Sequence, residues 1–519
     1  MYIEPNTNIR ILKNVPLDNT YDHTIYFSDE SSQIAYFQGL QKYNLVNYTY
    51  QRVNRGVARV GIKSDLLYDC NYIMFQNTNF GAKWFYAFIT SVEYLNNETS
   101  EIKFEIDDIQ TWFFDYHLDY CFVEREHSET DVIGEHILPE PVETGEMKFS
   151  GTEELVPLLS AMGVCVMTVD SNGEQTVNGS VYDGVFGGAK LNIFKLEDYQ
   201  AINSYLATFN QNPDNVIGVY MFPALFAEGA IPDGGTTIQY KSSAFTYQIT
   251  SINGMTGTEQ LDGYVPKNKK MYTYPFNMLS IFNGSGQELV TRYEYFSTDA
   301  TGIHKPSFRF FGTITTPVQC MVIPENYKNA SQCFNESISI SNFPMCSWTV
   351  DSYQAWIAQT AIPSIMDAAG SVGGAVLASG GIAAPFAGVN AIGKATALVS
   401  EWYKASIQAN SSRGSFNNGG VLAAAQKNVF YVGRKCCTSE YAKMADNFFT
   451  RYGYATKKLK IPNRSSRPHW NYVKTVNCTI TGSIPTDAAR NICSIYDNGI
   501  TFWKHGSEVG NYSLDNSPT

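Results

Sequence analysis

A segment of 26 residues without a single charge, residues 368–393, limits what this chain can fold into. It contains 8 Ala, 7 Gly and 7 larger apolar residues. Its length would allow one membrane-spanning helix, which needs about 20 apolar residues. The glycines and Pro385 oppose such a helix, because both residue types destabilise helix interiors. Two interpretations stay open: an apolar loop or helical hairpin that is shielded in one state and inserted in lipid in another, and a buried Gly/Ala-rich hairpin.

The remainder of the chain has the pattern of soluble β domains, which favours the loop. The 519 residues are enough for roughly three to four folding units. The chain carries 34 Tyr, 31 Phe and 7 Trp, which are strand formers. Residues 72–76 and 84–89 predict a β-hairpin, and the alternation of Ile102, Phe104 and Ile106 with charged neighbours predicts a half-buried strand. Short aromatic strands at close spacing are typical of barrels or sandwiches.

The predicted secondary structure changes twice along the later parts of the chain. Residues 156–343 alternate apolar runs with Gly/Asn-rich loops, which predicts a second β-rich domain with a helix near residues 196–209. After Met345 the pattern of residues 352–366 predicts a weakly amphipathic helix that leads into the uncharged segment. Residues 440–449 again predict a helix, and strands are expected over residues 472–481.

The charge of the chain is distributed in two opposite stretches. The net charge is −12, which argues against a conventional nucleic-acid binder. Residues 98–155 hold 17 acidic and 3 basic residues, whereas residues 451–474 hold seven Lys/Arg and no acid. Either stretch is a solvated face or a surface with a function, such as a negative wall or a docking patch. For the basic run we favour a contact with a neighbouring subunit.

The sequence contains no convincing catalytic, metal or cofactor motif. Gly388 to Lys394 matches the start of a phosphate-binding loop, but Ala395 lacks the hydroxyl that would hold magnesium. His127 and His136 fix no metal geometry by their spacing, so we expect surface or hydrogen-bonded histidines. Asp107 and Asp108 are expected on opposite faces of a strand. We therefore predict no enzyme, no metal and no cofactor.

The cysteines and the N-terminus indicate where the chain is made. Ten cysteines are too sparse for a disulfide scaffold, so we expect buried, reduced thiols. Residues 1–5 show no basic run followed by an apolar core. We therefore expect synthesis and folding in a cytoplasm without a signal peptide.

Several runs of residues resemble one family, the tail knob or distal tail tube proteins of short-tailed phages of the phi-twenty-nine type. They cover roughly the first 130 and the last 80 residues. The N-terminal runs are Asn8-Ile9-Arg10-Ile11-Leu12, Asp65-Leu66-Leu67-Tyr68, Tyr72-Ile73-Met74-Phe75-Gln76-Asn77, Lys83-Trp84-Phe85-Tyr86-Ala87-Phe88, Phe104-Glu105-Ile106-Asp107-Asp108-Ile109-Gln110-Thr111-Trp112 and Arg125-Glu126-His127. The C-terminal runs are Tyr452-Gly453-Tyr454, Pro462-Asn463, Asn471-Tyr472-Val473-Lys474-Thr475, Asp497-Asn498-Gly499-Ile500-Thr501 and Gly510-Asn511-Tyr512-Ser513.

The resemblance implies a mainly β fold with some α. The β-barrel or sandwich domains of a tail tube are expected from residues 1–155 and 425–519, and a middle β-rich knob domain from residues 156–350. Residues 351–424 are then expected to form a hydrophobic plug. In that family six copies form a tube at the end of a virion tail, through which double-stranded DNA leaves, and apolar loops plug the lumen before forming a pore in the host membrane. The implied partners are further copies of the chain, a lower collar protein, a cell-wall-degrading protein at the tip, the DNA and the host cell membrane.

Two sets of residues are candidates for these roles. The acidic residues expected to face the lumen, where they would repel phosphate, are Glu105, Asp107, Asp108, Glu124 and Glu126. The residues expected in the plug or the membrane are Ile362, Ile365, Met366, Val372, Val376, Leu377, Ile382, Pro385, Phe386, Val389 and Ile392. Small residues permit close packing of several copies of such a loop.

Two other classes of protein are alternatives to this interpretation. A receptor-binding or other structural tail subunit would keep the Gly/Ala-rich segment as buried core, and fibre repeats typical of receptor binders are missing from the sequence. A cell-wall-degrading enzyme would need a convergent acid/base or zinc constellation, for which the sequence offers no motif.

Overall fold

A computed structural model describes most of the chain. The described residues are 6–48, 56–78, 81–156, 162–169, 181–182, 185–186, 189–209, 216–227, 229–238, 245–249, 255–283, 287–312, 314, 318–340, 345–346 and 430–518. The helix predicted over residues 352–366 and the uncharged segment lie outside the described residues.

The chain divides into two compact units. The first unit consists of Met1–Glu146, Gly263–Met271 and Thr438–Thr519, and the second of Met147–Asp262 and Tyr272–Cys437. The two ends of the chain therefore belong to one unit, although nearly three hundred residues separate them in sequence.

The described elements are mostly strands. The α-helices are α1 (Glu30–Gly39), α2 (Asp108–Trp112), α3 (Tyr199–Ala207), α4 (Ser439–Tyr452) and α5 (Thr486–Asn498). Short 3-10 helices lie at Ser64–Leu66, Ala224–Phe226, Lys269–Tyr272, Tyr293–Tyr295 and Gly506–Glu508. The strands are β1 (Thr7–Lys13), β2 (His23–Ile25), β3 (Gln41–Tyr48), β4 (Val57–Val60), β5 (Cys70–Asn77), β6 (Phe85–Asn96), β7 (Thr99–Ile106), β8 (Tyr116–Leu118), β9 (Cys121–Glu126), β10 (Met147–Val156), β11 (Met162–Val169), β12 (Val181–Tyr182), β13 (Val185–Phe186), β14 (Ala189–Lys195), β15 (Val216–Pro223), β16 (Thr236–Ile238), β17 (Phe245–Ile249), β18 (Asn277–Phe282), β19 (Glu288–Thr291), β20 (Ser307–Gly312), β21 (Cys320–Tyr327), β22 (Ala330–Gln332), β23 (Ile338–Ile340), β24 (Met345–Cys346), β25 (Phe430–Cys437), β26 (Tyr454–Lys460), β27 (Trp470–Val476), β28 (Ile480–Gly482) and β29 (Ile500–Trp503). The predicted β-rich fold with some α is confirmed.

The N-terminal part of the first unit is a six-stranded antiparallel sheet with the order β3-β1-β5-β6-β7-β4. The predicted hairpin is its centre, where β5 and β6 pair with Tyr72 opposite Phe88. In β7 the predicted alternation holds, because Ile102 and Phe104 are buried while Glu105 is exposed. These apolar side chains enter a core that also contains residues of α5 and β29 from the C-terminal end.

A second sheet of the first unit combines strands from both ends of the chain, in the order β2-β29-β27-β9-β26. The strand β27 confirms the strands predicted over residues 472–481. Helix α5 packs one face inward, because Ala488, Ile492, Ile495 and Tyr496 recur at helical spacing and are buried. It ends at Gly499, whose φ of 96° is open to glycine and where a Cβ would lie 2.1 Å from the Tyr472 hydroxyl.

In its described residues the second unit contains four antiparallel sheets. Their orders are β10-β25-β18-β19, β16-β14-β11-β15-β24, β12-β13 and β17-β20-β21-β22, with β23 also paired to β21. The helix predicted near residues 196–209 is α3. Nine cysteines of the described residues are free, and seven of these are buried, which confirms the predicted burial for most of them.

Helix α4, which confirms the helix predicted over residues 440–449, holds the segment Gly263–Met271 in the first unit. The buried Asp446 accepts hydrogen bonds from the Tyr264 hydroxyl (2.6 Å), the Lys267 amide (2.9 Å) and the Asn268 amide (2.9 Å). The Asn268 side chain adds a bond to the same carboxylate and one to Thr450 Oγ1, both of 2.8 Å. One carboxylate therefore satisfies the polar groups of a segment that arrives from between two stretches of the second unit.

Replacing Asp446 tests this anchor. In Asp446→Ala the buried amide of Asn268 and the part-buried amide of Lys267 lose their acceptor, and each unpaired buried group costs about 1–3 kcal/mol. We expect urea unfolding followed by tryptophan fluorescence to show a loss of about 3 kcal/mol. The neighbouring Asn447 is exposed on the same helix, so Asn447→Ala should change the free energy of unfolding by less than about 0.5 kcal/mol. Equal effects of the two substitutions would contradict the role of Asp446.

Candidate functional site

The acidic stretch and the basic run lie side by side in one sheet. Strand β9, from the acidic stretch, is flanked by β26 and β27, which belong to the basic run. On one side Lys460 pairs with Cys121, and on the other Val473 pairs with Glu126. The strand order therefore brings the two charged stretches together within one chain. Their opposite charges attract each other across neighbouring strands.

Two ion pairs cross the sheet. Lys460 Nζ lies 2.5 Å from Glu126 Oε1, and Glu126 also accepts the Asn463 amide at 3.1 Å. Lys474 Nζ lies 3.0 Å from Glu124 Oε2, and both of these side chains are partly exposed. The exposed pair contributes less than about 1 kcal/mol, whereas loss of one partner of the buried Glu126 would leave a costly unpaired charge.

Most other residues of the basic run are also engaged within the first unit. The Arg464 guanidinium lies 5.0 Å from the ring centre of Phe113. Arg467 is buried and donates to the Asn516 carbonyl at 3.2 Å. Arg451 is exposed, but its guanidinium lies 4.8 Å from the ring centre of Tyr512. The part of the basic run that is left for a contact with another subunit is therefore the exposed pair Lys457 and Lys458.

A buried cluster of three charged side chains, which sequence patterns did not indicate, fixes the loop after β9. Glu140 accepts hydrogen bonds from Arg125, from Lys270 Nζ (3.0 Å) and from the Ala455 amide (2.9 Å). Lys270 also donates to the carbonyl of His136 at 2.5 Å. The cluster joins β9, the loop, β26 and the segment Gly263–Met271. Its members are far apart in sequence, so no local motif could reveal it.

Asp107 is buried and has a structural role. Its carboxylate accepts the Tyr72 hydroxyl at 2.8 Å and the Gln110 amide at 3.0 Å, as the N-cap of α2. Burial raises the pKa of Asp107 to about 7, although these hydrogen bonds oppose the rise. Because the folded chain then holds this proton more tightly than the unfolded chain, the stability contribution of the group falls as pH rises from about 4 to 7.

The structure corrects the expectation that Asp107 and Asp108 lie on a strand. Strand β7 ends at Ile106, and Asp108 is the first residue of α2. The helix begins here because the Asp107 side chain caps it, which outweighs continuation of the strand pattern.

The five acidic lumen candidates separate into two groups. Asp107 and Glu126 are buried and bonded within the unit, so they do not present a charge to a passing polyanion, and the lumen hypothesis no longer includes them. Glu105 is exposed on β7, and Asp108 and Glu124 are partly exposed on α2 and β9. Asp108 accepts the Asn491 amide group at 2.8 Å. The lumen hypothesis is therefore kept for Glu105, Asp108 and Glu124.

The two histidines considered as metal ligands are hydrogen-bonded, as expected. His127 is buried, its Nδ1 accepts the Tyr472 amide at 2.8 Å, and its Nε2 lies 3.1 Å from the Thr450 carbonyl. This arrangement requires the neutral ring with its proton on Nε2. His136 stacks on Tyr454 with ring centres 4.0 Å apart. Within the described part of the chain no three His, Cys, Asp or Glu side chains converge as metal ligands would.

The plug residues Ile362 to Ile392 lie outside the described residues, so their predicted role stays a prediction. No helix among the described ranges has the length and apolar character needed to span a bilayer.

Burial of His127 makes the free energy of unfolding of the first unit depend on pH. Burial lowers the pKa of His127 to about 3, so between pH 6.5 and 3 the unfolded chain binds a proton that the folded chain does not, and stability is lost as pH falls. Between pH 7 and 5 we expect the free energy of unfolding to fall by about 2 kcal/mol more than in His127→Asn. Urea unfolding at both pH values measures the difference.

The exposed His117 supplies the control for this measurement. His117→Asn should keep the pH dependence of the unsubstituted chain. Identical pH slopes for the unsubstituted chain and His127→Asn would show that His127 is not buried in its neutral form.

Comparisons with known proteins cover nearly the whole chain. It is 26% identical to the tail knob protein gp9 of Bacillus phage phi29 and 25% identical to that of Bacillus phage B103, with 98% of this chain and 98% of each relative covered. A solved structure of the bacteriophage C1 tail knob protein gp12 matches with a TM-score of 0.64 at 14% identity, covering 98% of this chain and 99% of that one, which shows a shared fold.

Two family models match the chain. Residues 5–117 match the N-terminus of the caudoviral major tail protein. Residues 239–517, more than half of the chain, match the C-terminal domain of the Bacillus phage phi29 tail knob protein gp9. The chain therefore belongs to the family of phi29-type tail knob proteins.

Proposed function

We propose that this tail knob protein forms the distal conduit of a short phage tail, through which double-stranded DNA leaves the virion. Its relatives are structural proteins of the virion tail, and the likeness extends over their full length. The observation that carries the conduit proposal is the internal neutralisation of the charged sheet. Because Lys460 and Lys474 are paired with Glu126 and Glu124, little of the basic run is left to hold DNA.

Two surface carboxylates, Glu105 and Asp108, support passage of a polyanion, and Glu124 contributes by keeping Lys474 paired. Glu105, Asp108 and Glu124 lie on elements of the first unit, as the placement of a conduit wall requires. A wall of negative charge repels phosphate and keeps DNA from adhering. Residues 1–155 and 425–519 are proposed to contribute this wall, and residues 156–350 the surrounding knob.

Neutralising the three carboxylates tests the conduit. In virions carrying Glu105→Gln, Asp108→Asn and Glu124→Gln, DNA should adhere to the wall, and we expect ejection to slow several-fold at low ionic strength. Salt screens such interactions over about 10 Å at 0.1 M, so the rates should converge as ionic strength rises. Time-resolved DNA release measures both. Equal rates at low salt, in virions with normal tails, would contradict a lumenal position of these residues.

The uncharged segment is proposed to plug this conduit and then to form a pore in the host membrane. Several copies of a Gly/Ala-rich segment can pack closely, and glycine gives such a segment access to two packings that differ by a few kcal/mol. The further proposed partners are other copies of the chain, a lower collar protein above, a cell-wall-degrading protein at the tip and the host membrane.

Dye release from liposomes tests the pore. We expect the intact chain to release dye and a variant lacking residues 368–393 to release little, while both still assemble. Assembly of the two proteins, followed by sedimentation, is the control for folding. No release from either protein would favour the alternative function, a structural or receptor-binding tail subunit in which the segment is buried core.

A further inference from the structure

Three large apolar side chains are exposed together on the charged sheet, and two more flank them in sequence. Leu459 and Val476 are the direct cross-strand neighbours of Phe122 on its two sides. Tyr120 directly precedes β9 and Ile461 directly follows β26, so both are exposed where these two strands meet the loops. We call this group the apolar strand patch; the exposed fractions are 68% for Tyr120, 40% for Phe122, 70% for Leu459, 48% for Ile461 and 42% for Val476.

Exposed apolar side chains grouped in this way are typical of a protein-binding surface. The rim is basic on the side of β26, whereas along β9 Glu124 lies on the same face as Phe122 and is paired with Lys474. Lys457 and Lys458 are exposed on β26, next to Leu459. β26 is also the outermost strand of its sheet. A partner for this surface should therefore present apolar side chains surrounded by carboxylates.

The same chain carries a surface of that kind in the loop after β9. Residues 128–146 contain six acidic residues and no Lys or Arg. Val132 and Ile137 are exposed there, 59% and 45%, among the exposed Glu129, Glu135 and Glu143. We call residues 128–143 the acidic loop.

The acidic loop is held in one conformation before any partner arrives. The Thr130 hydroxyl donates to Glu135 at 2.6 Å, and the Glu135 amide donates to the Val132 carbonyl at 3.1 Å. Lys270 fixes the adjoining carbonyls of His136 and Leu138. Preorganisation of this kind reduces the entropy lost on binding.

The charges around the apolar strand patch and the acidic loop determine which surfaces of two copies attract each other. Two apolar strand patches facing each other would bring the lysines of both rims together, which disfavours contact of patch with patch. Contact between the patch of one copy and the acidic loop of another brings opposite charges together. The two surfaces lie at opposite ends of β9, where Phe122 and Glu126 are separated by roughly 13 Å. A patch can therefore meet a loop in a contact that repeats from copy to copy or reciprocally across a two-fold axis, and a ring requires the repeating form.

We infer that the apolar strand patch of one copy binds the acidic loop of the next copy. A contact between two different surfaces repeats from copy to copy and closes into a ring when the rotation permits. This contact rests on the proposed function, because a conduit built from several copies needs a contact that repeats from one copy to the next.

A charge exchange in the full-length chain tests the contact. Lys457→Glu with Lys458→Glu, and separately Glu129→Lys with Glu143→Lys, should each weaken self-association at least tenfold, because like charges then face each other. The chain with all four substitutions should assemble to within about threefold of the unsubstituted chain, since the opposite charges are restored. Sedimentation velocity over a concentration series measures each dissociation constant.

The apolar side chains are tested in the same assay. Leu459→Ser with Val476→Ser should weaken assembly. The control Val46→Ser with Leu66→Ser, at exposed positions on β3 and in the 3-10 helix Ser64–Leu66 of the first unit, should not. Unchanged urea midpoints show that the variants fold.

Three results would overturn the contact: a monomeric unsubstituted chain, assembly unaffected by either charge reversal, or no rescue in the fourfold variant. Failure of the conduit is a separate result. If the fourfold variant assembles again, but substitution of Glu105, Asp108 and Glu124 leaves the ejection rate unchanged, the subunit contact is supported and the lumenal position of the three carboxylates is contradicted.

Discussion

The pairing of β9 with β26 and β27 is the constraint on which the first unit depends. It joins residues that lie more than 300 positions apart, such as Glu126 with Tyr454 and Val473. Closing a loop of that length is entropically unfavourable, but the cost grows only slowly with loop length. Backbone hydrogen bonds, a shared apolar core and the Glu126–Lys460 pair offset it.

The position of Gly263–Met271 follows from the same constraint. This short segment lies between two stretches of the second unit in sequence but belongs to the first unit. There Asp446 accepts the Asn268 amide, and Glu140 pairs with Lys270. It places Lys270 beside Glu140, which in turn holds Arg125 of β9. The segment thus reinforces the charged sheet and orders the acidic loop, so stability and the proposed subunit contact depend on the same side chains.

Local features of the fold could be predicted from the sequence, because they arise from periodicity and capping over a few residues. The hairpin of β5 and β6, the alternation in β7 and the helix α4 are of this kind. Asp107 was misplaced on a strand because capping competes with strand continuation at the same residues, and its burial depends on Tyr72, which is distant in sequence. The partners of Lys460 and Lys474 also needed the structure, since a run of like charge does not reveal which strand it pairs with. The family resemblance identified the class of protein. The apolar strand patch could not be predicted, because its residues come from three strands that are neighbours only in the folded chain.

The proposed conduit requires that copies of this chain surround a channel whose wall carries Glu105, Asp108 and Glu124. Electron cryomicroscopy of the assembled full-length chain tests this arrangement most directly. We expect a closed ring of copies, with the first unit around a channel wide enough for duplex DNA and the three carboxylates on its inner surface. A two-fold dimer without a channel, or a ring with these carboxylates on its outer surface, would contradict it.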